Sequence, residues 1–340
     1  MGRSKREGDR INAQLPRPAP DDSQIHDTTV PKQMRLPDWV KSRHPVKTHP
    51  TKRFLRSFGV ITVCEEARCP NIAVCFSKPA AAFMILGAIC TRRCSFCSVA
   101  SGFPEPVDSH EPEKIAGAVR EMGLQYVVIT SVTRDDLHDG GADHFARTVH
   151  ALRASLPSVR IEVLTPDFRG SMESLSIVLD SNPDVFNHNI ETVPRLYGHI
   201  RPHADYHRSL TVLRFAKNFA PGMHIKSGIM LGFGENLHEV TNSLRDLRTA
   251  GCTIITIGQY LRPSKHHVPV VDYVRPEMFR ELRTTALEMG FHHVASGPLV
   301  RSSMNAEEMY QDAVSAQHPL KSSSSPKNIE LDFVTEAENV

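Results

Sequence analysis

Six short apolar runs alternate with six longer amphipathic stretches between residues 83 and 289. The runs are Phe83–Gly87, Tyr126–Ser131, Arg160–Thr165, Val185–Ile190, His224–Leu231 and Thr253–Tyr260. They are often β-branched and continuous rather than alternating, as for strands covered on both faces. The stretches between them predict helices near 112–122, 141–155, 172–181, 206–218, 236–250 and 276–289. Pro112 suits a first helical turn, and Gly123, Gly251 and Gly290 each follow a helical pattern, where a left-handed residue closes the helix. Repeated strand–helix units imply an α/β fold with a parallel sheet and right-handed crossovers. Periodicity leaves open whether six such units curl into part of a barrel or stay flat. In both cases the chemistry belongs at the C-terminal ends of the strands.

Residues 1–35 are polar, rich in charge and Pro, and aperiodic, which predicts a flexible N-terminal extension. Residues 311–340, with the run Lys321-Ser-Ser-Ser-Ser-Pro-Lys327, predict a flexible tail. Between them lie an N-terminal segment (36–80), the core (81–290) and a C-terminal segment (291–310). Lysine plus arginine number 40 against 38 acids, a net charge of +2, so neither nucleic acid nor an anionic membrane is the expected main partner. No run of about 18 apolar residues and no apolar leader is seen, so the expected location is cytoplasmic.

The seven cysteines are an odd number in a chain with no secretory signal, which argues against a disulfide framework. Six of them fall within 34 residues, as two sets of three. Cys90-Thr-Arg-Arg-Cys94-Ser-Phe-Cys97 is C-x3-C-x2-C and follows the first predicted strand. Cys64-Glu-Glu-Ala-Arg-Cys69-Pro-Asn-Ile-Ala-Val-Cys75 is C-x4-C-x5-C and lies upstream of it. Three thiolates are one short of the four that close a zinc or iron–sulfur site, so each set leaves a position for another ligand. A zinc loop completed by one of the 18 histidines is the plain alternative for the Cys90 set.

The Cys90 motif, with aromatic Phe96 before its last cysteine, resembles that of the radical S-adenosylmethionine superfamily. The resemblance implies that Cys90, Cys94 and Cys97 hold a 4Fe–4S cluster whose fourth iron is chelated by S-adenosylmethionine, the source of a 5′-deoxyadenosyl radical. Gly228-Ile-Met-Leu-Gly232-Phe-Gly-Glu235 resembles the superfamily's adenine-flanking segment, with Gly228 and Gly232 in its glycine places. Asp139-Gly140-Gly141 resembles the segment that meets the methionine amino group. Asn189 and Glu191 offer polar side chains suited to a ribose. Each of these local segments has a plainer reading as a turn, a helix cap or a loop anchor.

The two cysteine sets in tandem resemble the lipoyl synthase family, and the likeness runs over residues 36–306. It includes Cys64-Glu-Glu-Ala, Cys69-Pro-Asn, Ile129-Thr-Ser-Val132, Arg134-Asp-Asp-Leu137, Phe186-Asn-His-Asn189, Gly258-Gln-Tyr-Leu261 and Pro263-Ser-Lys-His-His267. The resemblance implies a partial (β/α)6 barrel with N-terminal and C-terminal extensions covering an auxiliary 4Fe–4S cluster. That second cluster would be held by Cys64, Cys69, Cys75 and a serine of Arg301-Ser302-Ser303-Met304, with Ser303 in the matching place. The implied activity is insertion of sulfur at carbons 6 and 8 of an octanoyl chain on a carrier protein, with sulfur drawn from the auxiliary cluster. Implied partners are octanoylated lipoyl-carrier proteins (2-oxoacid dehydrogenase E2 subunits and the glycine cleavage H protein) and an electron donor such as flavodoxin or ferredoxin. Other readings are a radical enzyme with a different substrate and a non-catalytic iron–sulfur carrier.

Met304, Ser98 and Lys78-Pro-Ala-Ala-Ala82 depart from the family pattern, which usually has Tyr, Asp and Gly-Thr-Ala-Thr there. Cys252 enters an apolar run and is expected to pack as a small hydrophobe. His266 and His267 are expected to be structural, and Arg195, Arg201 and Lys226 are candidate cations for cofactor or carrier.

Overall fold

The computed structural model describes residues 35–41, 49–77 and 81–317. Nearly all of the predicted 1–35 extension, residues 318–340 of the predicted tail, and Lys78-Pro79-Ala80 lie outside the described residues. The chain divides after Leu36, and the strands and helices of the described residues belong to the unit that starts at Pro37.

The strands are β1 (Ile61–Thr62), β2 (Ala82–Ile85), β3 (Ile89–Cys90), β4 (Ala100–Ser101) and β5 (Tyr126–Ser131). After them come β6 (Arg160–Leu164), β7 (Val185–Asn187), β8 (His224–Leu231), β9 (Ile254–Gln259) and β10 (His293–Gly297). The helices of the N-terminal half are α1 (His49–Ser57), α2 (Val63–Glu66), α3 (Ile72–Cys75), α4 (Glu111–Glu121), α5 (Ala142–Ser155) and α6 (Met172–Asp180). Those of the C-terminal half are α7 (Tyr197–Ile200), α8 (Tyr206–Phe219), α9 (Leu237–Thr249), α10 (Pro276–Glu288) and α11 (Ala306–Gln317).

The main sheet runs β1-β2-β5-β6-β7-β8-β9-β10. Every neighbour pair is parallel except β1 with β2. Each crossover returns the chain to the next strand along, which is barrel winding, yet β1 and β10 do not pair and the sheet stays open. The fold is thus the expected α/β barrel-like sheet, with one difference. The parallel core has seven strands rather than six, because β10 adds to β9. The six predicted helices appear within a residue or two of their predicted bounds as α4, α5, α6, α8, α9 and α10. Helix α9 starts with a reciprocal cap, in which the Asn236 side chain takes Glu239 N–H while the Glu239 carboxylate takes Asn236 N–H. Gly123, Gly251 and Gly290 have φ of +65°, +98° and +89°, as helix-closing residues require.

Strand periodicity sorts the core. Phe83, Val127, Ile129, Ile255 and Ile257 join the cluster that includes Ile115, Val119, Phe145 and Leu152 of the helices. The alternate residues Met84, Val128, Thr130, Gly228 and Thr256 line a single cavity on the inner face. Register also puts Leu164 opposite Asn187, and Asn187 opposite Lys226. Lys226 and Glu162 are both within 1% of full burial and pair there, the Lys226 ammonium donating to the Glu162 carboxylate at 3.0 Å. Tyr126 Oη and Asn187 Nδ2 donate to the same carboxylate at 2.9 and 2.7 Å. Burial pulls the Lys226 ammonium below its usual range, and Glu162 opposes that pull.

Removing one partner of a buried pair leaves a charge without compensation. Lys226→Met is therefore expected to destabilise the apo protein by about 3–5 kcal/mol. Lys226→Met with Glu162→Gln should recover much of that, since the amide stays an acceptor. Chemical denaturation of the three proteins under anaerobic, reducing conditions is the check.

Candidate functional site

The Cys90 loop is anchored from several directions. Cys90 lies in β3 and the loop returns through β4, its parallel partner. Gly102 N–H donates to Cys90 O at 3.0 Å. Thr91 reaches Thr133 O with its N–H at 3.0 Å and its hydroxyl at 2.9 Å. Ser95 N–H donates to Ile200 O at 3.0 Å, and Val268 N–H to Ser95 O at 3.1 Å. His267 Nε2 lies 3.0 Å from Cys97 O, while His266 is exposed. Arg92 forks onto Asp135 at 2.7 and 3.0 Å and also meets Asp167 at 2.7 Å, which fixes the loop from beneath. Backbone N–H groups of Arg92 and Thr133 approach Cys90 Sγ at 3.4 and 3.3 Å.

The upstream set is built from two single-turn helices. Cys64 lies in α2, Cys69 in the turn after it, and Cys75 at the end of α3. Cys69 N–H donates to Cys64 O at 3.0 Å, and Cys75 N–H to Asn71 O at 2.9 Å. Asn71, 3% exposed, crosses to the C-terminal segment, where its Nδ2 meets Leu299 O at 2.6 Å and Met304 Sδ at 3.2 Å. The serine segment is thereby tied to the loop that carries Cys69 and Cys75.

All six of these thiols line one cavity of about 780 Å³. Phe96, Asn189, Glu191, Gly228 and Ser303 line it too. The structure does not bring Asp139, Gly140 or Gly232 to its wall. Asp139 is spent as an α5 cap, its carboxylate taking the N–H groups of Gly141 and Asp143 at 2.9 and 2.7 Å. Gly140 packs against the Phe168 ring, 3.0 Å from where a Cβ would stand. Gly232 packs against Gln259 and Asp272 O, and its N–H donates to Glu235 at 2.5 Å. Of the candidate cations, Arg201 lines the cavity, whereas Arg195 pairs at the surface with Glu239 and Lys226 is consumed by Glu162. Cys252 is fully buried in the core.

Three cavity-lining residues stood inside matched segments but were given no role by the sequence: Arg301, Asn71 and His188. Burial lowers the Arg301 guanidinium, while Cys69 and Glu191 hold it up. Burial pushes the Glu191 carboxyl up, against Arg201, the Asn189 amide and Arg301. His188 is buried between Thr165 O and Ser209 Oγ, at 2.9 and 3.0 Å, and burial lowers its imidazole to about 4, so it is neutral at ordinary pH. Burial first, and neighbouring cysteines of the same set with it, push the Cys64 and Cys97 thiols up to about 12 each. Burial also raises Cys69 and Cys94, opposed at Cys69 by an N–H near Asn71 and by Arg301, and at Cys94 by Arg201.

The donor set fits iron–sulfur chemistry. Two groups of three soft thiols face one space, each one ligand short of four. Among the described residues no three His, Cys, Asp or Glu side chains close on one point as ligands of a single ion. At the floor a side chain on Gly228 would push into its neighbours, since a Cβ there would stand 2.7 Å from Thr256 Oγ1 and 2.8 Å from Asn189 Oδ1. Glycine lets Thr256 and Asn189, both of which line the cavity, close over the strand there.

The family model of the radical SAM superfamily matches residues 84–247, the span from β2 through most of α9. This defines the class: the chain carries a radical SAM domain, which binds a 4Fe–4S cluster and S-adenosylmethionine. Relatives narrow it. A lipoyl synthase of Edwardsiella ictaluri is 54% identical over 278 residues, 81% of this chain and 87% of its own length. That of Methylococcus capsulatus is 55% identical over 278 residues, 81% and 86% of the two chains. That of Rubrobacter xylanophilus is 52% identical over 279 residues, 82% and 87%. The chain belongs to the lipoyl synthase family.

Thiols held protonated by burial must become thiolates to bind iron. Anaerobic loading of the apo protein with iron and sulfide is expected to release protons, and apparent iron affinity to rise from about pH 7 to about pH 9. Potentiometric titration during loading, corrected for the protons that sulfide itself gives up on becoming a bridging ligand, measures this, and no release beyond that correction would contradict protonated starting thiols.

Proposed function

We propose that this chain inserts two sulfur atoms, at carbons 6 and 8, into an octanoyl chain borne on a lysine of a lipoyl-carrier protein. The observation that carries this reading is that both three-thiol sets and Ser303 open into one cavity. Cys90, Cys94 and Cys97 hold one 4Fe–4S cluster and leave a position for the methionine part of S-adenosylmethionine. Cys64, Cys69, Cys75 and Ser303 hold the second. When bound, these groups supply a 5′-deoxyadenosyl radical on one side of the cavity and inorganic sulfur on the other.

The remaining work falls to the chain itself. Asn189 and Glu191, just past β7, present an amide and a carboxylate suited to the ribose. Arg201 Nη1 is committed to Asn189 O and Ile190 O at 3.0 and 3.1 Å, while its buried Nε has no partner and is an open donor for the cofactor's carboxylate. Phe96 meets Phe233 edge-on with ring centroids 6.4 Å apart, and Phe233 stacks on Tyr260 at 4.3 Å. This aromatic wall excludes water from the reactive side. Met84, Val128, Leu164 and Ile229 give an apolar lining suited to an acyl chain. The protein substrates fit the carrier domains of 2-oxoacid dehydrogenase E2 subunits and the glycine cleavage H protein, and the reductant a flavodoxin or ferredoxin. The setting is the cytoplasm; among the described residues no helix is long and apolar enough to cross a membrane.

The direct test is an anaerobic assay of the loaded protein with octanoylated carrier, reductant and S-adenosylmethionine. Formation of 5′-deoxyadenosine and a carrier product with two added sulfurs is expected; absence of both rejects the reading. Replacing either cysteine triplet with alanine should lower bound iron from about eight to about four per chain. Gly228→Val should keep its iron yet weaken S-adenosylmethionine binding at least about tenfold, because the new side chain must displace Asn189 or Thr256.

A further inference from the structure

We propose that Ser302, the neighbour of the proposed cluster ligand, is a positioning residue that holds Ser303 in register with the S-adenosylmethionine site. The inference rests on the function proposed above and deepens it.

The Ser302 hydroxyl sits between Asn187, the last residue of β7, and Asn189, just past that strand on the cofactor side. Asn187 Nδ2 approaches Ser302 Oγ at 2.9 Å, and Ser302 Oγ lies 3.0 Å from Asn189 Oδ1. The directions of these bonds are forced. Asn187 Nδ2 also meets Glu162 Oε1 at 2.7 Å, and a carboxylate paired with Lys226 accepts only, so the Asn187 nitrogen faces Ser302. Asn189 Nδ2 donates to Glu191 Oε1 at 3.1 Å, which turns its Oδ1 toward Ser302. The single Ser302 proton therefore goes to Asn189, and a Ser302 lone pair receives Asn187. Among the described residues the Ser303 hydroxyl has no hydrogen-bond partner, so it is the one of the pair left for a ligand role.

The line cannot slacken at its cofactor end, since Asn189 Oδ1 is packed against the bare backbone of Gly228. Nor can the serine segment slide away, since Asn71 holds Leu299 O. Ser303 is thus fixed between a tie to the Cys69 loop and a tie to Asn189. Any shift of Asn189 on filling of the cofactor site is passed to the residue next to Ser303, and the coupling is reciprocal.

The test uses the full chain, loaded anaerobically, with three measurements: bound iron, the dissociation constant for S-adenosylmethionine, and the Mössbauer signature of the auxiliary cluster with and without that cofactor. In the wild type, adding S-adenosylmethionine is expected to change the auxiliary signature. Ser302→Ala should keep its iron, bind S-adenosylmethionine about five- to thirtyfold more weakly, and lose the change. Ser302→Thr, which keeps the hydroxyl, should restore both. Asn189→Ala should alter the auxiliary signature although it replaces none of Cys64, Cys69, Cys75 or Ser303. Wild-type affinity and response in Ser302→Ala overturn the proposal, as does Ser302→Thr behaving like Ser302→Ala. If Ser302→Ala fails to fold, Asn189→Ala decides, and an unaltered auxiliary signature in it overturns the proposal. A wild type that cleaves no S-adenosylmethionine sinks the function instead; an active wild type beside a Ser302→Ala that keeps wild-type affinity and response sinks only this inference.

Discussion

Six thiols and a serine can share one cavity only if backbone near residues 64–75, 90–97 and 303 is brought to a single mouth. Short polar bonds between segments far apart in sequence do this. Asn71 spans more than two hundred residues of chain to hold Leu299 O, and Ser302 reaches back to Asn187 and Asn189. Apolar burial could bring these segments together without fixing which atoms face which, because it is non-directional. Buried amides fix both, since a wrong alignment would leave their donors and acceptors unpaired. The sheet supplies the frame, and these few bonds set the register of the loops laid over it.

The same economy governs charge. Six thiolates beside the Glu191 carboxylate would be costly without cations, and the guanidiniums of Arg201 and Arg301 are among those built into the wall. Arg301 is felt by Cys69 and Glu191, and Arg201 by Cys94 and Glu191. Arg301 thus acts on the Cys64 set and Arg201, with a smaller share from Arg92, on the Cys90 set, while Glu191 is felt by both Arg201 and Arg301. Burial of Arg201 is supported by carbonyls of Asn189 and Ile190 and by the Tyr197 ring, whose centroid lies 5.3 Å from the guanidinium carbon. Burial outweighs the arginines at Cys64, Cys69, Cys94 and Cys97 and raises these thiols, so the arginines would gain their partners only where a bound metal draws the protons off.

What the sequence made legible was whatever is written locally. Two cysteine spacings and six continuous apolar runs each lie within a short window, so they could be read directly. Strand β10 escaped because His293-Val-Ala-Ser-Gly297 buries only Val294 and has no apolar run to announce it. Strand β7 proper ends at Asn187, although backbone bonds to β8 continue past it through His188 N–H to Lys226 O and Glu191 N–H to Gly228 O, while the His188 and Asn189 side chains turn to Thr165, Ser209, Ser302 and Glu191. Asp139-Gly140 shows the limit of a short motif: a carboxylate before two glycines suits both a ligand contact and a helix cap, and in this chain the cap takes both oxygens. Asn71 and Arg301 were inside matched segments, but their partners are tertiary, and no spacing along the chain announces a bond to Leu299 O.

The departure at Met304 is best understood through Asn71. The Asn71 amide makes two contacts with the serine segment, one to a backbone carbonyl and one to the Met304 sulfur. The carbonyl contact, at 2.6 Å, is the shorter and is indifferent to which side chain stands at 304. A thioether is a weak acceptor, so the second contact adds packing more than hydrogen-bond strength. The flexible methionine can fill whatever space the segment leaves above Asn71. The tie that places Ser303 is therefore carried by backbone on the Asn71 side and by the Ser302 hydroxyl on the other. Of these three contacts the one to Met304 has the weakest acceptor, so the side chain at 304 bears least on where Ser303 stands.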